Sequence, residues 1–437
     1  MVIFFSIIIS ISLQREIIMK TTAIRLYGAN DIRLESFDLP EITEDEILME
    51  VITDSLCTST YKAVKQGTAH KRVPPDIATK PVIIGHEMCG KIIQVGKNLT
   101  TDWQVGQKVV IQPALKLETG YDPGYSYQYI GGNSKYAVVP KIVIERGCLL
   151  PFNGDNYFEG SLVEGIGCML RGYKGFYHTD YTDYTRTDGA KKGGRIAILG
   201  GAGPMGIGAV ELAVGYAGVK QVVVTDLSDE RLAFAEKMSS PSSAKERGVE
   251  LIYLNTSNIS DPVQKLLELS DGGFDDVFIM VPVPALFNQA EKIAKTDGCI
   301  NFFAGPAVHD LQGSLNLYRV HYDGIHVVGT AGSIPADTVE TIKLIEDKKI
   351  NAGALVSHIV GLTHAIDAVL GMEKPNGAKK VCYNHIDLPL TAISDFYELG
   401  KTDEMFYNLD LIVKENGGLW CTKAEEYLLA HAKKIAD

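Results

Sequence analysis

The chain has 437 residues, 46% of them apolar and 22% charged, the balance of a folded protein long enough for two or three domains. A formal net charge of -12 argues against a nucleic-acid or anionic-membrane surface, because either is met with clustered Lys and Arg; an anionic ligand here needs a locally basic pocket. The seven cysteines, at 57, 89, 148, 168, 299, 382 and 421, are odd in number and never form Cys-x-x-Cys, which fits a reduced, cytoplasmic protein without a disulfide framework.

Residues 1–18 carry an apolar run from Val2 to Leu13 that is too short to span a bilayer, has no basic residue before it and lacks a cleavage site. They read as an extension upstream of a start at Met19, with no targeting role; a membrane anchor is the alternative. From Lys20 to about Pro151, short β-type runs such as I-L-M-E-V and K-V-V-I-Q, separated by Gly, Pro and Asp, predict a partly open β-barrel or sandwich. A helix is expected over Ser161–Tyr177, then a polar surface loop through Gly194.

From Arg195 strands and helices alternate: R-I-A-I-L, a helix from about Met205 to Gly218, Q-V-V-V-T-D, a helix over Asp229–Met238, then D-D-V-F-I-M-V and C-I-N-F-F-A. That alternation predicts an α/β fold with a doubly wound parallel sheet. Helices are expected again over Thr338–Asp347 and Thr422–Ile435, and the stretch from about His385 reads as a cap on the barrel.

The turn after R-I-A-I-L is L-G-G-A-G-P-M-G, with Gly201, Gly203 and Gly206 in G-x-G-x-x-G spacing and Pro204 and Met205 opening the helix. Gly201 is expected to make the tight turn, Gly203 to let backbone approach a pyrophosphate, and Gly206 to let the helix pack on its strand. Asp226 ends the next strand, where it accepts from an adenosine ribose and repels a 2′-phosphate, favouring NAD over NADP. Arg231, five residues on, is placed to stack on adenine or to soften that preference. Glycines that merely permit helix–strand packing are the bland alternative.

Outside that unit, S-L-C-T-S around Cys57, I-I-G-H-E-M-C-G with His86, Glu87 and Cys89, and L-V-E-G-I-G-C with Glu164 offer metal donors. Sulfur, nitrogen and oxygen together suit zinc with one open position. Taken singly, each has a bland reading: a buried apolar Cys, a structural His, a helix-start carboxylate.

These motifs, with V-G-K-N-L-T-T-D-W-Q-V-G-Q-K-V and in this order from about Lys20 to Tyr383, resemble the zinc-dependent medium-chain alcohol and polyol dehydrogenases. The resemblance implies a GroES-like β-barrel catalytic domain over 19–165 and 335–437 around a Rossmann domain over 166–334. It implies Cys57 and His86 as zinc ligands, Glu87 ligating directly or through water, Glu164 as the glutamate of the polyol branch, and Ser59 as the hydroxyl that passes a proton. Cys89 then reads as a packed neighbour. Position 165 is Gly where the polyol branch usually has Pro, and the stretch from Ile111 to Ser134 lacks the four cysteines that hold a second zinc in many relatives. One catalytic zinc and no structural zinc are therefore expected, with a homo-oligomer, dimer or tetramer, implied by the family.

S-D-S-L-C, A-H-K-R-V-P-P-D, P-G-Y-S-Y and I-N-F-F-A-G-P further resemble the L-sorbose 1-phosphate reductase branch, which implies reduction of a ketose phosphate to a polyol phosphate. Lys62, Lys65, His70, Lys71 and Arg72 cluster after Cys57 in an otherwise acidic chain, so Lys62, Lys71 and Arg72 are candidates to clamp a substrate phosphate, with Lys135 a further one. Solvated loop charge is the alternative. A dehydrogenase of free polyols, and a nucleotide-binding relative without catalysis, are the competing functions; Cys57, Ser59, His86 and Glu87 together count against the second.

Overall fold

The structure, a computed structural model, describes residues 19–306, 308–373 and 377–435; the expectation for residues 1–18 lies outside them. The alternating segment folds as predicted into six parallel strands, ordered Glu250–Asn255, Gln221–Asp226, Arg195–Leu199, Phe274–Ile279, Ala294–Phe302, His326–Gly329. Gln221–Asp226 and Phe274–Ile279 are buried at every position, as strands covered on both faces are, and each carries a run of three apolar residues, Val222–Val224 and Val277–Ile279.

The strand reversal in that order falls between Arg195–Leu199 and Phe274–Ile279, placing the Gly-rich turn at the crevice where ligands of such sheets bind.

The remainder forms a three-stranded sheet from Asp31–Asp38, Lys20–Gly28 and Val82–Ile83, and an eight-stranded sheet centred on Ile47–Leu56. Ile47–Leu56 pairs with Met88–Val95, Tyr136–Val139 and Lys379–Tyr383, so the chain returns from the parallel sheet to the strand that precedes Cys57. That return brings Lys379 beside residues nearly three hundred positions earlier.

Helix Phe158–Gly175 lies between the halves: Gly160 packs on Cys89, while Tyr173 Oη donates to the Ala209 carbonyl at 2.6 Å. Its N-terminus is capped from afar. Glu425 accepts from the Tyr157 and Phe158 N–H groups at 2.6 and 2.8 Å and from Tyr383 Oη at 3.0 Å, while Trp420 Nε1 donates to Tyr383 Oη. The cap expected at the C-terminus is thus present, with helices Glu404–Glu415 and Thr422–His431.

Two local expectations change. The helix after the Gly-rich turn is regular over Pro204–Leu212 and widens to a π-turn over Ala213–Ala217. The polar segment after Tyr177 contains a hairpin, Tyr177–Thr179 with Arg186–Asp188, because His178 is buried between Asp276 (Nε2–Oδ1 3.1 Å) and Asp297 (Nδ1–O 3.0 Å).

Candidate metal and dinucleotide site

Strand Ile47–Leu56 ends at Cys57, which caps helix Thr58–Gln66, so Cys57, Ser59 and Thr60 share one tight turn. Their side chains surround His86. Thr60 Oγ1 is 3.1 Å from Nδ1 and Ser59 Oγ is 3.2 Å from Nε2. With Nδ1–H donated to Thr60, the Nε2 lone pair is left for a metal, the orienting arrangement that ligating histidines use. Burial pushes the imidazole down to about 4, so it is neutral and ready to ligate at physiological pH.

Cys57, His86 and Glu87 form the one group of three potential ligands among the described residues, their donor atoms within 4.8 Å of one another. Burial, then the neighbouring Glu87 charge, pushes the Cys57 thiol up to about 12; a divalent cation is the group that would reverse this. Burial and then Glu87 likewise raise Glu164 to about 7. Glu164 projects from helix Phe158–Gly175 into the same cavity of about 210 Å³, which Cys57, Ser59, His86 and Glu87 also line, and lies outside the tight three-donor group.

Both Glu87 oxygens are already engaged. Lys379 Nζ lies 2.6 Å from each, with the two side chains 5% and 1% exposed, and the Glu87 N–H donates to Asp54 at 3.0 Å. Burial raises the Glu87 carboxyl, the nearby Lys379 ammonium lowers it, and the net direction is down. Gly85, at φ 91, makes the left-handed turn that leads into His86 and Glu87; a Cβ there would stand 2.6 Å from Asp54 Oδ2. Cys89 is fully buried against Gly160, on the sheet side, as the packed reading had it.

At the Gly-rich turn the left-handed residue is Gly200 (φ 69), so the tight turn falls one position before Gly201. Gly201 is needed for space, since a Cβ would stand 2.6 Å from Ile198 Cγ2. A Cβ at Gly206 would stand 1.9 Å from the Gly201 carbonyl oxygen, so the close approach it permits is of the helix on the turn, where packing on the strand was expected. Gly203 caps helix Pro204–Leu212, with Pro204 in its first turn, and Met205 reaches the metal-side cavity. Asp226 ends its strand and accepts from the Leu227 and Ala202 N–H groups at 2.8 and 3.3 Å; Arg231 Nη2 is 3.8 Å from it and lies over Gly203.

Of the phosphate candidates, Arg72 lines the metal-side cavity, whereas Lys62 and Lys71 are exposed. All three nonetheless act on one ring: His70 is pushed down to about 4 by burial and then by the charges of Arg72, Lys71 and Lys62. Lys65 pairs with Glu373 at 3.8 Å, and Lys135 is buried beside a different cavity, with Glu50 and His385.

Sequence reasoning missed Thr60, Asp54, Asp122, Tyr125 and Lys379. Lys379 had a readable signal, two adjacent lysines opening the strand K-K-V-C-Y. Asp122 and Tyr125 sit in the cysteine-free loop: Asp122 holds Arg72 Nε at 2.7 Å, and Tyr125 Oη lies 2.9 Å from Ser59 Oγ and 3.2 Å from His86 Nε2.

The family model for an alcohol dehydrogenase GroES-like domain matches residues 43–146, and that for a zinc-binding dehydrogenase matches residues 204–347. The chain is 41% identical over 418 residues to an L-sorbose 1-phosphate reductase of Klebsiella pneumoniae, covering 95% of this chain and 98% of that one. It is 43% identical over 412 residues to a mannitol-1-phosphate 5-dehydrogenase of Aliivibrio fischeri, covering 94% and 97%. The crystal structure of 2R,3R-butanediol dehydrogenase from Bacillus subtilis has the same fold, with a TM-score of 0.67 at 22% identity over 83% of this chain and 99% of that one. Among the described residues, no helix is long and apolar enough to cross a membrane. The chain belongs to the GroES-like, zinc-binding medium-chain dehydrogenases, in their polyol branch, and is an oxidoreductase acting on CH–OH groups.

Proposed function

We propose that this protein is a zinc-dependent NAD(P)H oxidoreductase that interconverts a ketose phosphate and a polyol phosphate, with L-sorbose 1-phosphate to D-glucitol 6-phosphate as the leading pair. The observation that carries the reading is Arg72, which lines the metal-side cavity of a chain with net charge -12 and stands with Lys71 and Lys62 among the cations whose charges act on His70. The similarity to an L-sorbose 1-phosphate reductase and a mannitol-1-phosphate 5-dehydrogenase supports it.

Cys57, His86 and Glu164 would hold the zinc, with Glu87 kept beside it by Lys379; no second zinc is proposed, and Asp122 and Arg72 tie the loop that lacks the extra cysteines. When bound, zinc supplies a Lewis acid for the carbonyl or alkoxide oxygen, and nicotinamide supplies or takes the hydride at carbon. The remaining work falls to side chains. Ser59 moves the proton at the reacting oxygen. Arg72 orients the phosphate, Thr60 fixes the His86 ring, and Met205 fills the wall between the Gly-rich turn and the metal cavity, excluding water from the hydride path.

The Asp226 carboxylate at its strand end favours NAD(H), while Arg231 over the Gly-rich turn keeps a 2′-phosphate within reach of a cation. The functional units are 19–165 with 335–437, and 166–334. A cytoplasmic location agrees with seven free cysteines. A homo-oligomer is favoured by the half-exposed edge strand His326–Gly329 and the exposed Leu317, Tyr318 and Tyr322 beside it in the chain.

A free polyol is the second reading, favoured by one observation: Arg72 is already paired with Asp122 at 2.7 Å, which spends part of its charge. Oxidation of NADH and NADPH is followed with L-sorbose 1-phosphate, fructose phosphates and the unphosphorylated sugars, before and after zinc removal. Turnover of free sugars alone overturns the phosphate reading, and no turnover with any of them overturns the function.

A further inference from the structure

The hydroxyl assigned to proton handling is not alone. Tyr125 comes from the loop between strands Lys108–Ile111 and Tyr136–Val139, is 2% exposed, and places Oη 2.9 Å from Ser59 Oγ. Its ring packs on His86 (centroids 4.8 Å) and on His70 (5.8 Å), with the Arg72 guanidinium carbon 5.0 Å from its centroid. The loop that carries it is built to stay put. Asp122 accepts from Leu115 N–H (3.0 Å) and Arg72 Nε (2.7 Å), Ser126 Oγ donates to the Arg72 carbonyl (2.5 Å), and Gly124 packs so closely on Gly85 that a Cβ would stand 1.9 Å from its carbonyl oxygen.

Hydrogen-bond valence then assigns the protons. A tyrosine hydroxyl has one proton to donate, and a serine hydroxyl has one proton and two lone pairs. Tyr125 Oη and Ser59 Oγ both lie 3.2 Å from His86 Nε2, but Nε2 has a single lone pair, which ligation consumes. Cys57 Sγ, 3.1 Å from Ser59 Oγ, differs: a thiolate keeps lone pairs after ligation and remains an acceptor for the Ser59 proton. The partner left to the Tyr125 proton is Ser59 Oγ, and a serine that accepts from Tyr125 has its own proton turned away from the tyrosine, to the metal side, where Cys57 Sγ and the reacting oxygen are its acceptors.

We propose that Tyr125 is a positioning residue for this reaction: its hydroxyl donates to Ser59 Oγ and fixes the direction of the Ser59 proton. The inference rests on the function proposed above. The cysteine-free loop thereby has a role of its own, delivering a hydroxyl to the reacting centre.

The test is a double-mutant cycle of Tyr125→Phe, Ser59→Ala and both together in the full-length, zinc-loaded protein, with L-sorbose 1-phosphate and with 2,3-butanediol as substrates. Tyr125→Phe keeps the ring contacts with His86, His70 and Arg72. It is expected to lower kcat about tenfold, the worth of one oriented hydrogen bond, with the KM for NADH unchanged. The double variant is expected to be no slower than Ser59→Ala, because the tyrosine acts through the serine. The readout independent of turnover is the visible spectrum of the cobalt-substituted protein, whose shape and titration midpoint are expected to be the same in Tyr125→Phe as in the parent. Additive losses, an unchanged kcat in Tyr125→Phe, or an altered cobalt spectrum each overturn the proposal. An unmutated protein that turns over neither substrate overturns the function itself, a distinguishable result.

Discussion

Replacing Lys379 by Met tests whether the buried ion pair, and not the zinc motif alone, keeps Glu87 charged. In the native protein Lys379 Nζ sits 2.6 Å from both Glu87 oxygens, and neither side chain is more than 5% exposed, so solvent screening is slight. Methionine keeps the length of the side chain and leaves a buried carboxylate beside Asp54 and Glu164 with no cation. Breaking a buried pair in this way costs roughly 3–5 kcal/mol. The Glu87→Gln/Lys379→Met double variant removes the orphaned charge and is expected to regain most of that loss.

The pH dependence distinguishes this from a simple packing defect. The carboxyl of Glu87 lies below its ordinary value in the native state because burial, the largest single influence, is outweighed by Lys379 together with His86 and Ser55. A depressed native value contributes stability that is present above the unfolded value and lost as pH falls through the native one. Without Lys379, burial is opposed only by the weaker influences of His86 and Ser55, the group is expected to rise, and the sign inverts: stability is then greatest below the unfolded value and falls as pH rises through the native one. Urea unfolding of metal-free protein at pH 5 and pH 8 reads this directly. Lys379→Met is expected to lose more at pH 8 than at pH 5, and the double variant to lose the excess. A Lys379→Met unfolding free energy within about 0.5 kcal/mol of the parent at pH 8, or no rescue by Glu87→Gln, refutes the reasoning.

Arg72→Met is expected to raise the KM for the sugar phosphate about tenfold or more while leaving the unphosphorylated sugar unaffected, measured as paired kcat/KM values. Gly206→Ala places a methyl 1.9 Å from the Gly201 carbonyl oxygen and is expected to weaken NADH binding at least about tenfold in a fluorescence titration; unchanged binding refutes the contact. Asp226→Ala is expected to narrow the preference for NADH over NADPH, read as the ratio of the two kcat/KM values, and a wider ratio counts against its ribose role. Elemental analysis is expected to find one zinc per chain; chelation abolishes turnover and one equivalent of zinc restores it, whereas two per chain overturns the single-site reading.

What was legible in the sequence is what a single turn dictates. G-x-G-x-x-G fixes its own close helix-on-turn contact at Gly206, and the start of helix Asp229–Met238 is written in Ser228 and the acids that follow it, so that helix fell where expected. Cys57 and His86 were readable because each is bound to a local device, a helix start and a left-handed glycine.

Charge compensation is different, because a buried carboxylate takes its cation from wherever the fold returns. Lys379 is 292 positions from Glu87, and the only trace it leaves is that two adjacent lysines, Lys379 and Lys380, are buried in one strand. Adjacent strand residues point to opposite faces, so a single site cannot use both. Lys379 turns toward Glu87 and the metal-side cavity, and its charge has a purpose only once Glu87 is itself buried. An ionisable residue in an apolar strand is therefore evidence of an opposite charge elsewhere in the chain, and the zinc motif's own Glu was the carboxylate it implied.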